Sequence, residues 1–274
     1  MTPETAAVDN TLLEKEAALR DLLTSYGTVA VAYSGGVDSS YLAEIAHEAL
    51  GAGAVLVLAD SPSIPRSEVK EAVELAEARG WTLHIVETQE FDNEAYLQND
   101  GKRCYFCKAE LFNQMRRFAA GNGVKYLAYG AIVDDLADPT RLGAVAAREY
   151  EVIAPLQDAG LGKDEIRALS GRRGLPTASK ASFACLASRF PKGTRVSREE
   201  IAKVEQAEEV LRALGFHQFR ARHHGDVCRV EVGQDEIARF LDAAVRERVV
   251  EGVKAAGYRF VALDLGGYRT GGSA

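Results

Sequence analysis

The sequence predicts an α/β fold: an open parallel sheet with helices on both faces, followed by a small α+β domain. Three observations support this prediction. Apolar runs of strand length alternate with segments of helical spacing over about the first 175 residues. A glycine-rich turn joins the first apolar run to a helix-compatible segment. After Gly174-Leu175-Pro176 the composition changes, and shorter strand and helix patterns follow.

The first part of the chain supplies most of the predicted sheet. Ala54 to Ala59 is continuously apolar, as in a strand buried on both faces of a parallel sheet. Helical spacing after Pro65, ending at Gly80, predicts the helix that follows it. Because strands and helices alternate, we expect parallel strands joined by right-handed crossovers. The other elements predicted here are strands over 29–33, 81–86, 124–129 and 151–154, and helices over 41–50, 104–119 and 142–149.

The last part of the chain predicts a second, smaller domain. Its predicted elements are helices over 198–214 and 234–254 and strands over 217–223, 227–232 and 259–265. We therefore expect a nucleotide-binding domain over 1–176, a linker carrying Cys185 over 177–197, and a C-terminal α+β domain over 198–274. The Gly- and Ser-containing last few residues are expected to be disordered.

Composition is typical of a soluble enzyme. The chain has 274 residues, of which 47% are hydrophobic and 27% charged, enough to bury a sizeable core. No run approaches membrane-span length and Met1 to Asn10 has no signal-peptide core, so we expect a cytoplasmic protein without a membrane partner. A net charge of −7 argues against nucleic acid as a partner. Four cysteines without an export signal indicate a reducing compartment.

The turn after the first strand predicts an anion site. Two adjacent glycines allow a tight turn, and backbone N–H groups at a helix start can converge on a phosphate. The loop has an aspartate, Asp38, where other phosphate loops carry a lysine. Asp38 would repel phosphate unless Mg²⁺ lies between them. The loop residues predicted to bind ATP are Ser34, Gly35, Gly36, Val37, Asp38, Ser39 and Ser40.

This Ser-Gly-Gly-Val-Asp-Ser-Ser loop resembles the pyrophosphate-binding loop of the N-type ATP pyrophosphatases, the PP-loop superfamily. The resemblance implies an enzyme that activates a substrate oxygen as an adenylate and releases pyrophosphate. We expect the adenine to lie against the backbone at Ala32 and against Asp60 and Ser61, because ligands of such sheets bind at the strand ends.

Three cysteines lie in cationic surroundings. Cys104 and Cys107 form a Cys-x-x-Cys pair between Arg103 and Lys108, and Cys185 lies four residues before Arg189. Nearby positive charge favours the thiolate, which is the form that binds metal or attacks an electrophile. Three thiolates fit an iron–sulfur cluster with one open iron, or zinc with one open position. A redox pair, or thiols that only pack, remain alternatives.

The second domain contains a candidate anion site of its own. In the strand over 217–223 and the residue after it, Arg220, Arg222 and His224 would share one face, because they alternate with Phe219, Ala221 and His223. Adjacent guanidinium groups repel each other, so an anion such as phosphate would stabilise them. The alternative is an edge strand with a solvated charged face. Cys228 shares a face with valines and is predicted to be a small core residue.

Taken together, five motifs resemble the LarE-type sulfur transferases over nearly the whole chain. They are the 34–40 loop, Gly130-Ala131-Ile132-Val133-Asp134-Asp135, Pro155-Leu156 with Lys163-Asp164-Glu165-Ile166-Arg167, Ala184-Cys185-Leu186-Ala187-Ser188-Arg189-Phe190-Pro191, and Arg220-Ala221-Arg222-His223-His224. The resemblance implies ATP-dependent sulfur insertion into a pyridinium carboxylate mononucleotide during nickel-pincer cofactor biosynthesis. An acyl-adenylate would form, with release of pyrophosphate and AMP.

The same resemblance implies roles for particular residues. Cys185 matches the sulfur-bearing position, and Cys104 and Cys107 match two additional ligands of a 4Fe–4S cluster that carries sulfide. In the other kind of family member the single cysteine gives up its own sulfur and becomes dehydroalanine. Arg220 and Arg222 would bind the substrate phosphate, and Gly130 would contact ATP. A sulfide donor and assembly into a homo-oligomer are implied as well.

Our catalytic candidates are Cys185, Asp38 as the Mg²⁺ ligand, and Lys108 and Arg189 as cations that stabilise developing charge. Two alternatives stay open. One is an amide-forming or tRNA-thiolating member of the superfamily, and the other is a nucleotide sensor that binds ATP and a cluster without turnover.

Overall fold

The computed structural model describes residues 3–137, 142–181 and 184–269, with side chains from residue 10 onward. Its helices are α1 (Pro3–Tyr26), α2 (Val37–Leu50), α3 (Arg66–Arg79), α4 (Glu94–Leu97), α5 (Arg103–Asn122), α6 (Leu142–Glu149), α7 (Pro155–Asp158), α8 (Lys163–Arg172), α9 (Arg198–Ala213) and α10 (Ala243–Ala255). Its strands are β1 (Val29–Tyr33), β2 (Ala54–Asp60), β3 (Leu83–Glu87), β4 (Tyr126–Tyr129), β5 (Phe219–His224), β6 (Val227–Val232) and β7 (Phe260–Leu263).

The chain divides into two compact units. The first comprises Met1–Ser61, Arg66–Glu90 and Cys104–Phe183, and the second comprises Pro62–Pro65, Phe91–Arg103 and Ala184–Ala274. The domain boundaries expected at residues 176 and 197 stay predictions.

The first unit is built on a parallel sheet of strand order β3-β2-β1-β4. Val31 in β1 pairs with Leu56 on one side and with Ala128 on the other. From β1 the chain adds β2 and β3 on one side and then crosses to add β4 on the other. The order therefore reverses between β1 and β4, which is the position where open α/β sheets bind ligands at their carboxyl ends.

Alternate residues of β1 enter two hydrophobic cores, one on each face of the sheet. Val29, Val31 and Tyr33 pack in a core shared with α1, α2, α3 and α8. Ala30 and Ala32 enter a second core with α5 and α6. Side chains of a strand alternate between its faces, so a strand that is apolar throughout requires cover on both sides. The predicted α/β class is confirmed.

The second unit has a three-stranded sheet of order β5-β6-β7. β5 and β6 are antiparallel, whereas β6 and β7 are parallel. Helix α9 packs on β5, and α10 packs on α9 and β7. This mixture of helices and a small mixed sheet is the α+β architecture that the sequence predicted. Over the residues that the structure describes, no helix is both long and apolar enough to cross a lipid bilayer.

Two element predictions were wrong. The single helix expected over 234–254 is broken at Asp242, since a 3-10 helix over Gln234–Leu241 precedes α10. The Asp242 side chain accepts a hydrogen bond from the Ala244 N–H at 2.8 Å, which starts a new helix. The strand expected over 151–154 is reduced to one bridge between Ile153 and Ala128. The last five residues, expected to be disordered, lie outside the described part of the chain.

Candidate functional site

The glycine-rich loop connects the carboxyl end of β1 directly to the first turn of α2. Gly36 is the N-cap residue of α2, with φ −84° and ψ 170°, and no side chain caps the helix there. The Ser39 hydroxyl accepts a hydrogen bond from the Ser34 N–H at 3.2 Å and lies 3.1 Å from the Ser34 hydroxyl. The turn is therefore held by its own serines. The first N–H groups of α2 have no side-chain acceptor and suit an anion.

Two features require glycine at position 35: the backbone conformation there and the close approach of a neighbouring helix. The φ of Gly35 is +67°, a left-handed value that side chains other than hydrogen disfavour. A Cβ placed on Gly35 would also lie 2.7 Å from the Cβ of Ala72 in α3. The loop thus packs tightly against α3, and a glycine at this position makes that approach possible.

Gly130 brings the end of β4 against the same helix start. A Cβ on Gly130 would lie 3.1 Å from the Ser39 backbone nitrogen and 3.3 Å from the Asp38 carbonyl carbon. Since β4 neighbours β1 in the sheet, the loop and Gly130 together line the point where the strand order reverses. The residues predicted on these two segments are thus brought together.

Asp38 forms an ion pair that the sequence analysis missed. The Lys163 ammonium lies 2.7 and 2.6 Å from the two carboxylate oxygens of Asp38, although 125 residues separate them. Lys163 is the first residue of α8, and its backbone N–H donates to the Asp134 carboxylate at 3.0 Å. The sequence signal for Lys163 was that it belongs to one of the family motifs. A cation therefore stands beside the loop, where other phosphate loops carry theirs within the loop itself.

Asp60 and Ser61 lie at the end of β2, and both have protein partners. Asp60 forms an ion pair with Arg66, whose guanidinium also donates to the Ser61 carbonyl at 2.6 Å. The Ser61 hydroxyl donates to the carboxylate of Glu90, which is buried. Any ligand at this strand end would meet these groups already held in place.

Arg189 in the second unit holds the segment around Cys185. Its guanidinium is 2% exposed and donates to both carboxylate oxygens of Glu208, at 2.7 and 2.9 Å. A third nitrogen donates to the carbonyls of Ala184 and Cys185, at 2.7 and 3.1 Å, and to the Ser188 hydroxyl at 2.9 Å. The planar guanidinium thus fixes the backbone on which the half-buried Cys185 lies.

Arg220 and Arg222 stand on β5 in different surroundings. Arg222 is buried, lies 2.9 Å from the Glu231 carboxylate and donates to the Ser188 carbonyl at 3.0 Å. Arg220 lies over the Tyr268 ring at 5.0 Å. Partial burial, together with the positive charge of Arg189, lowers the pKa of Arg220. The Glu208 carboxylate opposes this effect of Arg189, and an anion beside Arg220 would offset the remaining repulsion.

Cys104 and Cys107 lie on the first turn of α5, three residues apart and therefore on one helix face. Cys104 is exposed and Cys107 half-buried. They belong to the first unit and Cys185 to the second. Among the described residues, no group of three or more His, Cys, Asp or Glu side chains is assembled to hold a metal ion. Lys108 follows on the same helix and makes no ion pair with the described residues.

Cys228 is fully buried in the second unit, which confirms its prediction as a core residue. Burial raises the pKa of its thiol to about 12. The thiolate form of Cys228 is therefore scarce at neutral pH.

Known proteins resemble the chain over almost its whole length. It is 34% identical over 262 residues to the pyridinium-3,5-bisthiocarboxylic acid mononucleotide synthase of Lactiplantibacillus plantarum, covering 95% of this chain and 94% of that protein. The chain belongs to this synthase family, the LarE family. No family model matches the chain.

Two further proteins are similar to this LarE-family chain. An uncharacterised protein of Synechocystis, slr1717, is 36% identical over 253 residues, with 92% of this chain and 94% of that protein covered. A glutamine-hydrolysing GMP synthase of Leifsonia xyli is 28% identical over 193 residues, covering 61% of this chain but 38% of that enzyme. Similarity to the GMP synthase is thus partial, whereas similarity to the LarE-family synthase extends over both chains.

Proposed function

We propose that this chain is an ATP-dependent sulfur transferase that converts a pyridinium carboxylate mononucleotide to a thiocarboxylate in nickel-pincer cofactor biosynthesis. The observation that carries the proposal is the phosphate loop at the point where the strand order reverses, in a chain that belongs to the LarE family. We also propose a cytoplasmic location, a homo-oligomeric assembly and a separate sulfide donor.

The first step is adenylation. A carboxylate oxygen of the substrate attacks the α-phosphorus of ATP, and the bond from that phosphorus to the bridging oxygen breaks. Pyrophosphate leaves with the electron pair, and an acyl-adenylate forms. The N–H groups at the start of α2 and the loop residues 34–40 bind the phosphates, while Ala32, Asp60, Ser61 and Gly130 line the nucleotide.

Mg²⁺ is the metal that this step implies. The Asp38 carboxylate supplies oxygen ligands of the type that Mg²⁺ takes, so the residues present fit this ion. When bound, Mg²⁺ would offset the negative charge of the departing pyrophosphate. Lys108, which has no ion-pair partner among the described residues, is the cation that we assign to the charge developing on the substrate.

The second step is sulfur transfer. A sulfur nucleophile attacks the activated acyl carbon, and AMP leaves with the electron pair of the carbon–oxygen bond. We assign Cys185 to the sulfur and Arg189 to positioning its backbone, because the Arg189 guanidinium is buried against Glu208. Arg220 and Arg222 bind the phosphate of the mononucleotide.

The sulfur source has two versions. In the first, Cys104, Cys107 and Cys185 would hold a 4Fe–4S cluster that supplies sulfide, since three thiolates are the ligands such a cluster takes. The described residues hold no preformed group of three such ligands. In the second, Cys185 itself attacks. Loss of its α-proton then breaks the Cβ–S bond, leaving sulfur on the substrate and dehydroalanine in the chain.

Pyrophosphate release tests the adenylation. We expect the purified protein to release pyrophosphate from MgATP when a pyridinium carboxylate mononucleotide is present and not when it is omitted. ATP binding without substrate-dependent release would support the nucleotide sensor instead. Release that requires ammonia or tRNA would support the amide-forming or tRNA-thiolating alternatives.

Metal analysis and mass spectrometry test the sulfur source. Anaerobically purified protein should contain iron and sulfide, absorb broadly near about 400 nm, and lose both on substitution of Cys104 or Cys107 by alanine. Cys228→Ala is the matched control, because Cys228 is buried and should leave the iron content unchanged. Iron-free protein that loses one sulfur from Cys185 per turnover would contradict the cluster version.

A further inference from the structure

Two segments of the second unit adjoin the cysteines that we assign to sulfur chemistry. Residues 91–103 end immediately before Cys104, and residues 184–196 carry Cys185. Both segments belong to the same compact unit, so the contacts between them are contacts within one body. The side chains that join the first segment to the second therefore help to decide where the backbone beside each cysteine lies.

Asn99 ties the two segments together. It is only 4% exposed, and its amide nitrogen donates to the carbonyls of Pro191 and Thr194, at 2.9 and 3.2 Å. Its own backbone carbonyl accepts a hydrogen bond from the Gly193 N–H at 2.8 Å. The φ of Asn99 is +52°, a left-handed value that asparagine adopts more readily than most residues. Asn99 is thus held on several sides, and its amide oxygen stays free to accept from a further side chain.

The amide oxygen of Asn99 orients Arg103, the residue before Cys104. The Arg103 Nη1 donates to this oxygen at 2.6 Å and to the Ala187 carbonyl at 2.6 Å. Ala187 lies two residues after Cys185 in the chain. Hydrogen bonds from a charged donor are shorter and stronger than those between neutral groups. A single nitrogen thus links the residue before one cysteine to the backbone just after the other.

Arg103 differs from the other groups that hold the backbone around Cys185. The Leu186 N–H donates to the Ser63 carbonyl at 2.8 Å, and Arg189 binds the Cys185 carbonyl from its ion pair with a glutamate. Arg103 comes instead from the first residue of α5, the helix that carries the Cys-x-x-Cys pair. It forms no ion pair with a carboxylate in the described ranges of the chain. Its hydrogen bonds therefore fix the position of a peptide group without neutralising a charge.

We propose that Arg103 is a positioning residue for sulfur transfer, which holds the Cys185 segment in register with the start of α5 by binding the Ala187 carbonyl. The proposal rests on the proposed function for its reaction, and it applies to either sulfur source. In that reaction the adenylation step does not involve Cys185. Loss of the Arg103 guanidinium should therefore slow sulfur transfer and leave adenylation unchanged.

Single-turnover kinetics separate the two steps. With MgATP and a pyridinium carboxylate mononucleotide, Arg103→Met should release pyrophosphate at the wild-type rate. It should form thiocarboxylate about tenfold more slowly or less, as expected for the loss of a charged hydrogen bond. Arg103→Lys should recover part of that rate, because its ammonium can still donate to a carbonyl. Equal slowing of both steps, or no slowing of either, would overturn the proposal.

Arg195→Met is the matched control. Arg195 joins the same two segments, since it pairs with Glu94, but the two side chains are 57% and 60% exposed. We expect Arg195→Met to form thiocarboxylate at the wild-type rate. A loss as large as that of Arg103→Met would mean that any weakened contact between the segments has this effect, which would overturn the specific role of Arg103. Thermal melting shows whether each variant is folded.

Hydrogen exchange tests the positioning without a substrate. The Leu186 and Ser188 N–H groups donate to the Ser63 and Cys185 carbonyls, at 2.8 and 2.9 Å. In Arg103→Met both should exchange about tenfold faster or more, while the amides of β5 and β6 keep their wild-type rates. Unchanged exchange of Leu186 and Ser188 would overturn the proposal. If their exchange accelerates although the wild type forms no thiocarboxylate, only the proposed function fails.

Discussion

Arg189 and Glu208 form a buried, bidentate ion pair in the second unit, with nitrogen–oxygen distances of 2.7 and 2.9 Å. Glu208 also accepts a hydrogen bond from the Ala221 N–H at 3.0 Å, which ties α9 to β5. The remaining donors of Arg189 hold the Ala184 and Cys185 carbonyls. The Arg189–Glu208 pair thus connects a helix, a strand and the segment that carries Cys185.

Removal of this arginine should destabilise the protein. Arg189→Ala would leave the Glu208 charge buried without its partner, which costs about 3–5 kcal/mol. The measurement is the free energy of unfolding in urea. Arg195→Ala is the control, since Arg195 pairs with Glu94 at an exposed position and should cost about 1 kcal/mol or less. Equal losses of unfolding free energy in the two variants would contradict a stabilising role for the buried Arg189–Glu208 ion pair.

Arg220 and Arg222 should respond differently to substitution by glutamine. Arg220→Gln removes a guanidinium that lies over Tyr268, so we expect substrate KM to rise about tenfold or more with little change in stability. Arg222→Gln also removes the partner of buried Glu231 and should lower both stability and substrate affinity. Urea unfolding and a KM measurement on each variant separate the two effects. A large stability loss in Arg220→Gln would be evidence against this division.

Gly35→Ala should impair the loop more than a comparable glycine substitution. Both Gly35 and Gly27 have positive φ, but a Cβ on Gly27 would meet no atom within 4 Å. Gly27→Ala should therefore cost only about 1–2 kcal/mol for its backbone. Gly35→Ala should add about 1–3 kcal/mol for the clash with Ala72 and weaken ATP binding. Thermal melting measures the stability of each variant, and nucleotide titration measures its affinity for ATP. Equal losses of stability in Gly35→Ala and Gly27→Ala would mean that the loop is not tightly packed.

Cys228 should resist alkylation in the folded protein. Its pKa of about 12 leaves only about one thiol in ten thousand ionised at pH 8, and the side chain is buried. In metal-free protein treated with iodoacetamide, mass mapping should find Cys104 modified and Cys228 intact, with Cys228 modified after denaturation. Rapid modification of Cys228 without denaturation would show that this core opens.

His223 should make stability depend on pH. Burial lowers its pKa below 6.5, against the opposing effect of Glu200, and the ring stacks on Phe190 and lies 3.1 Å from the Tyr258 hydroxyl. Between the unfolded pKa and this lower folded pKa the unfolded chain binds more protons, so the free energy of unfolding falls as the pH falls.

Urea unfolding of His223→Gln at about pH 7.5 and about pH 5 tests this contribution. The variant should lose less stability over that interval than the wild type, while His224, whose pKa burial also lowers, supplies part of the remaining dependence. His217→Gln is the control, because the His217 side chain is 93% exposed. A His223→Gln profile parallel to that of the wild type would exclude this histidine.

Local patterns predicted most of the sheet. The strand at 29–33 was placed to the residue, and the one expected over 81–86 begins two residues late, at Leu83. The helix expected from Cys104 begins at Arg103. Periodicity does not locate the ends of helices and strands, because capping depends on single side chains. Asp242 divides an apparently continuous helix by bonding to the Ala244 N–H.

The sequence by itself determined most of the strand positions, the phosphate loop and the family motifs, because periodicity, glycine conformation and residue spacing act over a few neighbouring residues. Only the tertiary structure decided which charges meet. Lys163 reaches Asp38 across 125 residues and Arg189 reaches Glu208 across 19 residues. Such pairs depend on how elements pack together, which local pattern does not encode, and the Lys163–Asp38 pair is what places a cation beside the loop.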